Sequence, residues 1–290
     1  MATLGNRGDL RDFFKLLLSQ NNSFTDAEIN GMLNVAYKKV IATAECLEDI
    51  RTISSVAYQG EYALPGSIIK VQDVYFRGQL LDMFNYRGIL RDNLGKKQPS
   101  AAESQTVTRK CYTKNYGASM YVGLYGTPSD GASATTLAAN ITSADLSIQL
   151  TSISGFENIG SFILNSSEVI HYVYTSGAYA KGCIRSSEDT SAGAANTAGQ
   201  TIVERDIVCY VVPNPADMDD DADAPLIDES YRELIVKGAL VSATLALKMF
   251  DVYAMYRKEF YEECYDVRSK FNYKEPGKNQ RIRPFIEKYA

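Results

Sequence analysis

Tryptophan is absent from this 290-residue chain, and histidine occurs once, as His171. A nucleophile assisted by histidine would have to use that one residue, yet His171 alternates with Val169 and Val173 as a strand residue does, and no GxSxG elbow accompanies it. The glycine patterns that cradle nucleotide phosphates, GxGxxG and GxxxxGK[ST], are missing as well. The five cysteines (Cys46, Cys111, Cys183, Cys209, Cys264) are odd in number, far apart and without a CxxC pair. They signal neither a disulfide framework nor a zinc site, so buried thiols are expected. Basic residues do not exceed acidic ones, 30 against 35 for a net charge of -5. The chain therefore lacks the cationic excess on which sequence-independent DNA binding draws. No apolar run approaches the ~20 residues of a membrane helix. The opening MATLGNRGDLRDFF has no signal-peptide layout. A chain made in the cytoplasm, without membrane contact, is the expectation.

The acidic run Asp217, Asp219, Asp220, Asp221, Asp223 alternates like a calcium loop but has Ala224 where the sharp turn needs glycine and Ser230 where a bidentate glutamate should close the shell. It reads as a solvated linker, with Asp228 and Glu229 favouring the next helix N-terminus through its dipole. Paired carboxylates for glycoside hydrolysis depend on three-dimensional spacing, and nothing in the sequence recommends a pair. The expectation is thus no catalytic residue, no cofactor site and no metal site.

What is present is a 45% hydrophobic chain with 20 tyrosines, enough for a buried core. Tyrosine suits protein interfaces and half-buried strands alike. Asp9–Ser19 places Leu10, Phe13, Phe14, Leu17 and Leu18 on one helical stripe. Thr25 and Glu28 fit a capping box, after which Ile29, Leu33, Ala36, Val40, Ala44 and Leu47 recur at helical spacing. From Ser54, β-branched and aromatic runs punctuated by Gly60, Pro65-Gly66 and Gly78 read as strands, and the apolar phase shifts after Val71 to Val74 and Phe76. A polar loop is expected over Arg91–Thr106, then strands at Lys110–Tyr112 and Ser119–Tyr125. Between Gly131 and Glu204 charge thins, and short alternating runs appear: Ile148 and Leu150; Phe162 and Leu164; Val169, His171 and Val173. That stretch is too long for a hairpin loop and predicts a small all-β unit inserted between two strands. A helical stretch from Glu229 to Phe271 follows, with a break near Asp251. The tail carries Arg281, Arg283, Phe285 and Tyr289, the most partner-like side chains in the sequence.

The fold class expected is α+β: a helical bundle from the N- and C-terminal helices with a small antiparallel β-region, plus an inserted small all-β domain. Residues 1–130 and 205–270 form the core, 131–204 the inserted module and 271–290 an extended tail.

The host segments INGMLNVAYKKVIATA (29–44), VAYQGEYALPGSIIKVQDVYFRGQLL (56–81), YVGLYGTPSD (121–130), DIVCYVVPNP (206–215) and ESYRELIVKGALVSATLAL (229–247) together resemble the head-to-tail connector, or adaptor, proteins of tailed bacteriophages. The insert is similar to a small β-module of phage virion proteins through TTLAANITSADLSIQLTSISGF (135–156), EVIHYVYTSG (168–177) and GCIRSSEDTSAGAANTAG (182–199). It departs from that pattern at Ser186, where glycine usually follows the arginine. The resemblance implies a structural, non-enzymatic virion protein at the head–tail interface. It implies a homo-oligomeric ring, usually of twelve copies, beneath the portal protein, continuing the DNA channel without specific DNA binding and presenting a platform to the next tail or nozzle component. The reading kept beside it is a glycan-binding or adhesive virion protein that uses the inserted module, against which the lack of tryptophan counts mildly.

Overall fold

A computed structural model describes residues 4–18, 24–85, 110–117, 119–126, 128–188, 190 and 195–271. The loop expected over Arg91–Thr106 and the tail residues Arg281, Arg283, Phe285 and Tyr289 lie outside them. The chain divides into two compact units, one helical, up to Asp49 and again from Val212, and one β, from Ile50 to Val211.

The helical unit holds α1 (Arg7–Leu18), α2 (Asp26–Ala44), α3 (Glu233–Ala246) and α4 (Phe250–Phe271). Helix α2 starts where the sequence places it. The Thr25 hydroxyl accepts from the Glu28 N–H at 3.3 Å and the Glu28 carboxylate accepts from the Thr25 N–H at 2.8 Å, closing the capping box. Its buried residues include Ile29, Leu33, Ala36, Val40 and Ala44. On α1, Leu10 and Phe14 are fully buried while Leu16 and Leu17 face solvent. The break in the C-terminal helical stretch falls at Leu247–Met249, just before Asp251, with Lys248 in the left-handed region at φ 57°. Gly238 sets how closely α2, α3 and α4 approach, since a Cβ there would lie 2.9 Å from the Phe260 ring and 3.0 Å from the Ala36 Cβ.

The acidic run is bound rather than merely solvated. Asp221 accepts from Arg7 and Arg11 at 2.8 Å each, and those bonds hold its carboxyl down at about 2. Asp217 pairs with Lys38 at 2.8 Å, while Asp223 accepts from the N–H groups of Asp219 and Asp220. The run thereby fastens the linker to α1 and α2.

In the β unit, the host strands form two sheets. One has the order β1 (Asp49–Ile53), β18 (Ile207–Pro213), β3 (Ile68–Phe76), β4 (Gln79–Leu80). The other has β2 (Glu61–Ala63), β7 (Ser119–Leu124), β6 (Lys110–Tyr116), β5 (Asp82–Asn85), all antiparallel except β5–β6. Both feed one apolar cluster that includes Tyr62, Val71, Val74, Phe76, Cys111, Val122, Leu124, Ile207, Cys209 and Val211. Val71, Val74 and Phe76 are the buried positions of β3, as the phase shift in its sequence requires.

The inserted segment has a five-stranded sheet in the order β15 (Ile184–Ser187), β12 (Glu168–Tyr172), β11 (Gly160–Leu164), β17 (Thr201–Glu204), β8 (Ala134–Thr136). A three-stranded sheet runs β10 (Ser147–Gln149), β14 (Tyr179–Lys181), β13 (Tyr174–Ser176), and a small ribbon pairs β16 (Ala195–Asn196) with β9 (Ile141–Thr142). They enclose a separate cluster with Leu137, Ile148, Leu150, Phe162, Leu164, Ile170, Tyr172, Ala180 and Ile202. The β11–β12 hairpin turns on Asn165 and Ser166, both at positive φ (49° and 56°), with the Ser167 N–H returning to Leu164 O at 3.0 Å, the twist that two antiparallel strands favour.

The expected helical bundle with a small β-region is therefore corrected: among the described residues, four α-helices stand beside eighteen strands in five sheets, and the fold is mostly β. The physical reason is strand length. Gln79–Leu80, Glu61–Ala63 and Ile141–Thr142 have two or three residues each, too few to show a period of two, whereas a helix of 22 residues shows its period in full.

Ser186 sits at φ 56°, a conformation that costs an L-residue about 1 kcal/mol. It is solvent-exposed, and its N–H donates to Glu168 at 3.3 Å. Ser186→Gly is expected to stabilise the protein by about 0.5–1 kcal/mol in urea denaturation; a loss of stability would contradict the strained-turn account.

Candidate functional site

The root of the inserted segment is a buried polar site of the β unit, with Ser55, Glu204 and Asp206 all buried. It is built on the β3–β4 hairpin, whose turn residues Arg77 and Gly78 both have positive φ, 47° and 72°. This turn delivers Arg77 to both ends of the insert. Its N–H donates to Asp206 O at 2.8 Å and its Nε to Asp206 Oδ2 at 3.2 Å. Its terminal nitrogens donate to the Asp130 carboxylate at 3.2 Å and to Gly131 O at 3.1 Å. Asp206, with a fully buried side chain, also accepts from the Ser55 N–H at 2.7 Å and the Ser55 hydroxyl at 2.6 Å. Ser55 O in turn accepts from the Ala132 N–H at 2.9 Å, and the Ser54 hydroxyl donates to Glu204 O at 2.6 Å. The chain leaves the host at 130–132 and returns at 204–206 through one hydrogen-bonded clasp.

Beside the clasp lies a second polar group. On β11 and β12 the residues facing the module's core are Phe162, Leu164, Ile170 and Tyr172, and the cross-strand pairs Ser161–His171 and Ile163–Val169 occupy the other face. That face is covered. Glu188, at φ 55°, accepts from the Thr52 N–H at 3.0 Å and from the Thr52 hydroxyl. It lies 3.7 Å from His171 Nε2 and 3.6 Å from Arg205. Burial pushes the Glu188 carboxyl up, opposed by the Arg205 charge and the Thr52 hydrogen bonds. Burial, reinforced by Arg205, pulls His171 down to about 4. Glu204, which accepts from the Glu157 N–H at 2.6 Å, is pushed up to about 7 by burial, with the charges of Asp206 and Glu157 adding to it and the Glu157 N–H opposing.

Serine, histidine and carboxylate thus meet at Ser161, His171 and Glu188, all three buried or nearly so. They do not form a nucleophile–base pair. The buried Ser161 hydroxyl makes no hydrogen bond among the described residues, and a histidine holding its proton only below about 4 is a weak base at neutral pH. The group acts as a polar filling between module and host. Among the described residues, no cluster of three or more His, Cys, Asp or Glu is placed to hold a metal ion. The thiols are free, Cys111, Cys183, Cys209 and Cys264 are buried, and burial raises the first of these to about 12.

The pH dependence follows from these shifts. A carboxyl raised in the fold from 4.5 to about 7 stabilises fully below 4.5 and loses that contribution as pH rises through 7. His171, lowered from 6.5 to about 4, works oppositely, since its contribution is present above 6.5 and is lost as pH falls toward 4. Glu204→Gln is therefore expected to remove a decline in stability between pH 5 and 8, measured as the urea midpoint at each pH. An unchanged slope would show that Glu204 is ionised throughout that range.

Sequence reasoning did not single out Arg77, Ser55, Asp206 or Glu188. A signal existed in the charged residues Asp130 and Asp206 that bracket the insert, and in the Arg-Gly pair of a two-residue hairpin turn, but pairing them requires the fold. No protein-family model matches the chain, and no curated protein sequence matches it.

Proposed function

We propose that the protein is a structural component of a phage virion, a connector that forms a ring below the portal, joins head to tail and continues the DNA channel, with residues 131–204 as a built-in accessory module. The observation that supports this best is the separation of the two β cores. Among the described residues, every member of the host cluster lies outside 131–204 and every member of the module cluster lies inside. A host core that draws none of its described residues from the insert is what a connector carrying an added module requires, and the bonds from Arg77 to Gly131 O and from the Ala132 N–H to Ser55 O fasten the insert at its root.

The net charge of -5 is consistent with a channel protein that lets DNA pass, because a chain without a cationic excess holds phosphates weakly. Ring assembly through unlike surfaces suits a chain made of separate helical and β units. The test is sedimentation velocity of the purified protein, alone and with portal rings from the same virus. Comigration with the portal at a fixed stoichiometry is expected. A monomer that ignores the portal at micromolar concentration would overturn the reading.

A further inference from the structure

The three-stranded sheet of the module buries one face and leaves the other open. Ile148 and Ala180 point into the module's core. Their sequence neighbours fall on the opposite face: Ser147 and Gln149 from β10, Tyr179 and Lys181 from β14, Tyr174 and Ser176 from β13. The register pairs Tyr174 with Lys181, Lys181 with Ser147, and Tyr179 with both Ser176 and Gln149. The two tyrosines are thus diagonal neighbours, on the order of 7–8 Å apart, and they are 48% and 38% exposed. The Lys181 ammonium stands 5.8 Å from the Tyr179 ring centroid.

Lys181 is electrostatically singular. It and Arg185 are the only basic residues in 131–204, against Asp145, Glu157, Glu168, Glu188, Asp189 and Glu204. Arg185 is used internally, bound to Glu168 at 2.6 and 2.7 Å. Lys181 has no carboxylate at ion-pair distance among the described residues, so it is the module's one available cation. Asp145, the acid nearest in sequence to Ser147, turns back on the N–H and hydroxyl of Thr142.

We propose that this face binds a saccharide bearing carboxylate groups. Each tyrosine supplies a flat apolar ring with a polar rim, against which the C–H face of a sugar stacks. Ser147, Gln149 and Ser176 supply hydroxyl and amide partners for sugar hydroxyls, and Lys181 supplies the charge-assisted bond to a carboxylate. One cation in an otherwise acidic module suits a polymer whose charges are sparse. A nucleic acid, charged at every nucleotide, would meet the surrounding carboxylates instead. This inference does not rest on the connector reading, because a module on a connector and a module on an adhesin present the same face.

The test is affinity electrophoresis of the full chain in native gels containing hyaluronate or gellan, acidic polymers whose carboxylates are spaced by neutral sugars, with dextran as the neutral control. Retardation is expected in at least one acidic polymer and not in dextran. Tyr174→Ala, Tyr179→Ala and Lys181→Gln should each weaken it, by up to about tenfold, while Lys181→Arg retains it. Because these side chains are half-exposed, melting temperatures should stay at the parent value. Absence of retardation in both acidic gels, equal retardation in dextran, or retention unaffected by the substitutions would overturn the proposal. So would a change in sedimentation coefficient on tyrosine substitution without any saccharide, which would assign the face to contact between copies.

Discussion

Asp206→Ala is expected to lower the unfolding free energy by about 3 kcal/mol. The carboxylate is fully buried and accepts from Ser55 N–H, Ser55 hydroxyl and Arg77 Nε at 2.7, 2.6 and 3.2 Å. Its removal orphans the Ser55 N–H and hydroxyl, at about 1–3 kcal/mol for each buried group left unsatisfied. Arg77 is 36% exposed and can turn partly to water, which keeps the loss below the upper end for a broken buried ion pair. Asp206→Asn keeps the volume and one acceptor oxygen, so it should cost about half as much. Without tryptophan the transition is followed by tyrosine fluorescence and circular dichroism. A loss under about 1 kcal/mol for the alanine variant would mean that the clasp does not hold the root of the insert.

The second large effect belongs inside the module. Glu168 and Arg185 form a doubly bonded pair with side chains 1% and 6% exposed. Arg185 also donates to Thr142 O, and the Asn196 amide donates to Glu168 at 3.4 Å. The pair ties β12 and β15 to the β9–β16 ribbon. Glu168→Ala leaves a buried guanidinium without its carboxylate and is expected to cost about 3–5 kcal/mol. The double variant Glu168→Leu/Arg185→Met replaces both charges with apolar volume and should recover most of that loss, since desolvation of the pair offsets much of its attraction. Hydrogen exchange should localise the single variant's loss to strands lining the module's core, such as β11 and β12, and spare β3 and β18 of the host. A double variant no more stable than the single one would show that the pair's hydrogen bonds to the ribbon, rather than charge balance, hold the module together.

How much of this was legible depended on the range of the interaction. The α2 capping box spans three residues and could be read directly from Thr25 and Glu28. The inward positions Ile148, Leu150, Phe162 and Leu164 follow from a period of two. The extent of β structure did not, because strands such as Gln79–Leu80 owe their existence to a turn and a neighbour rather than to any pattern of their own. His171 reads as a buried strand residue, which it is, but its face was not legible: the β11–β12 register turns it away from the module's core toward Glu188. The clasp joins residues 55, 77, 130 and 206, separations over which a sequence carries no geometric signal. The departure at Ser186 was visible as a missing glycine, and the positive φ there gives it a physical meaning.

The connector reading is tested most directly by cryo-electron microscopy of the protein bound to its virus's portal, classified by rotational symmetry. A closed ring on the portal axis with an open central channel, and separate density for residues 131–204 at each subunit, is the expected result. Particles without rotational symmetry, or a ring whose channel is blocked by the chain itself, would contradict it.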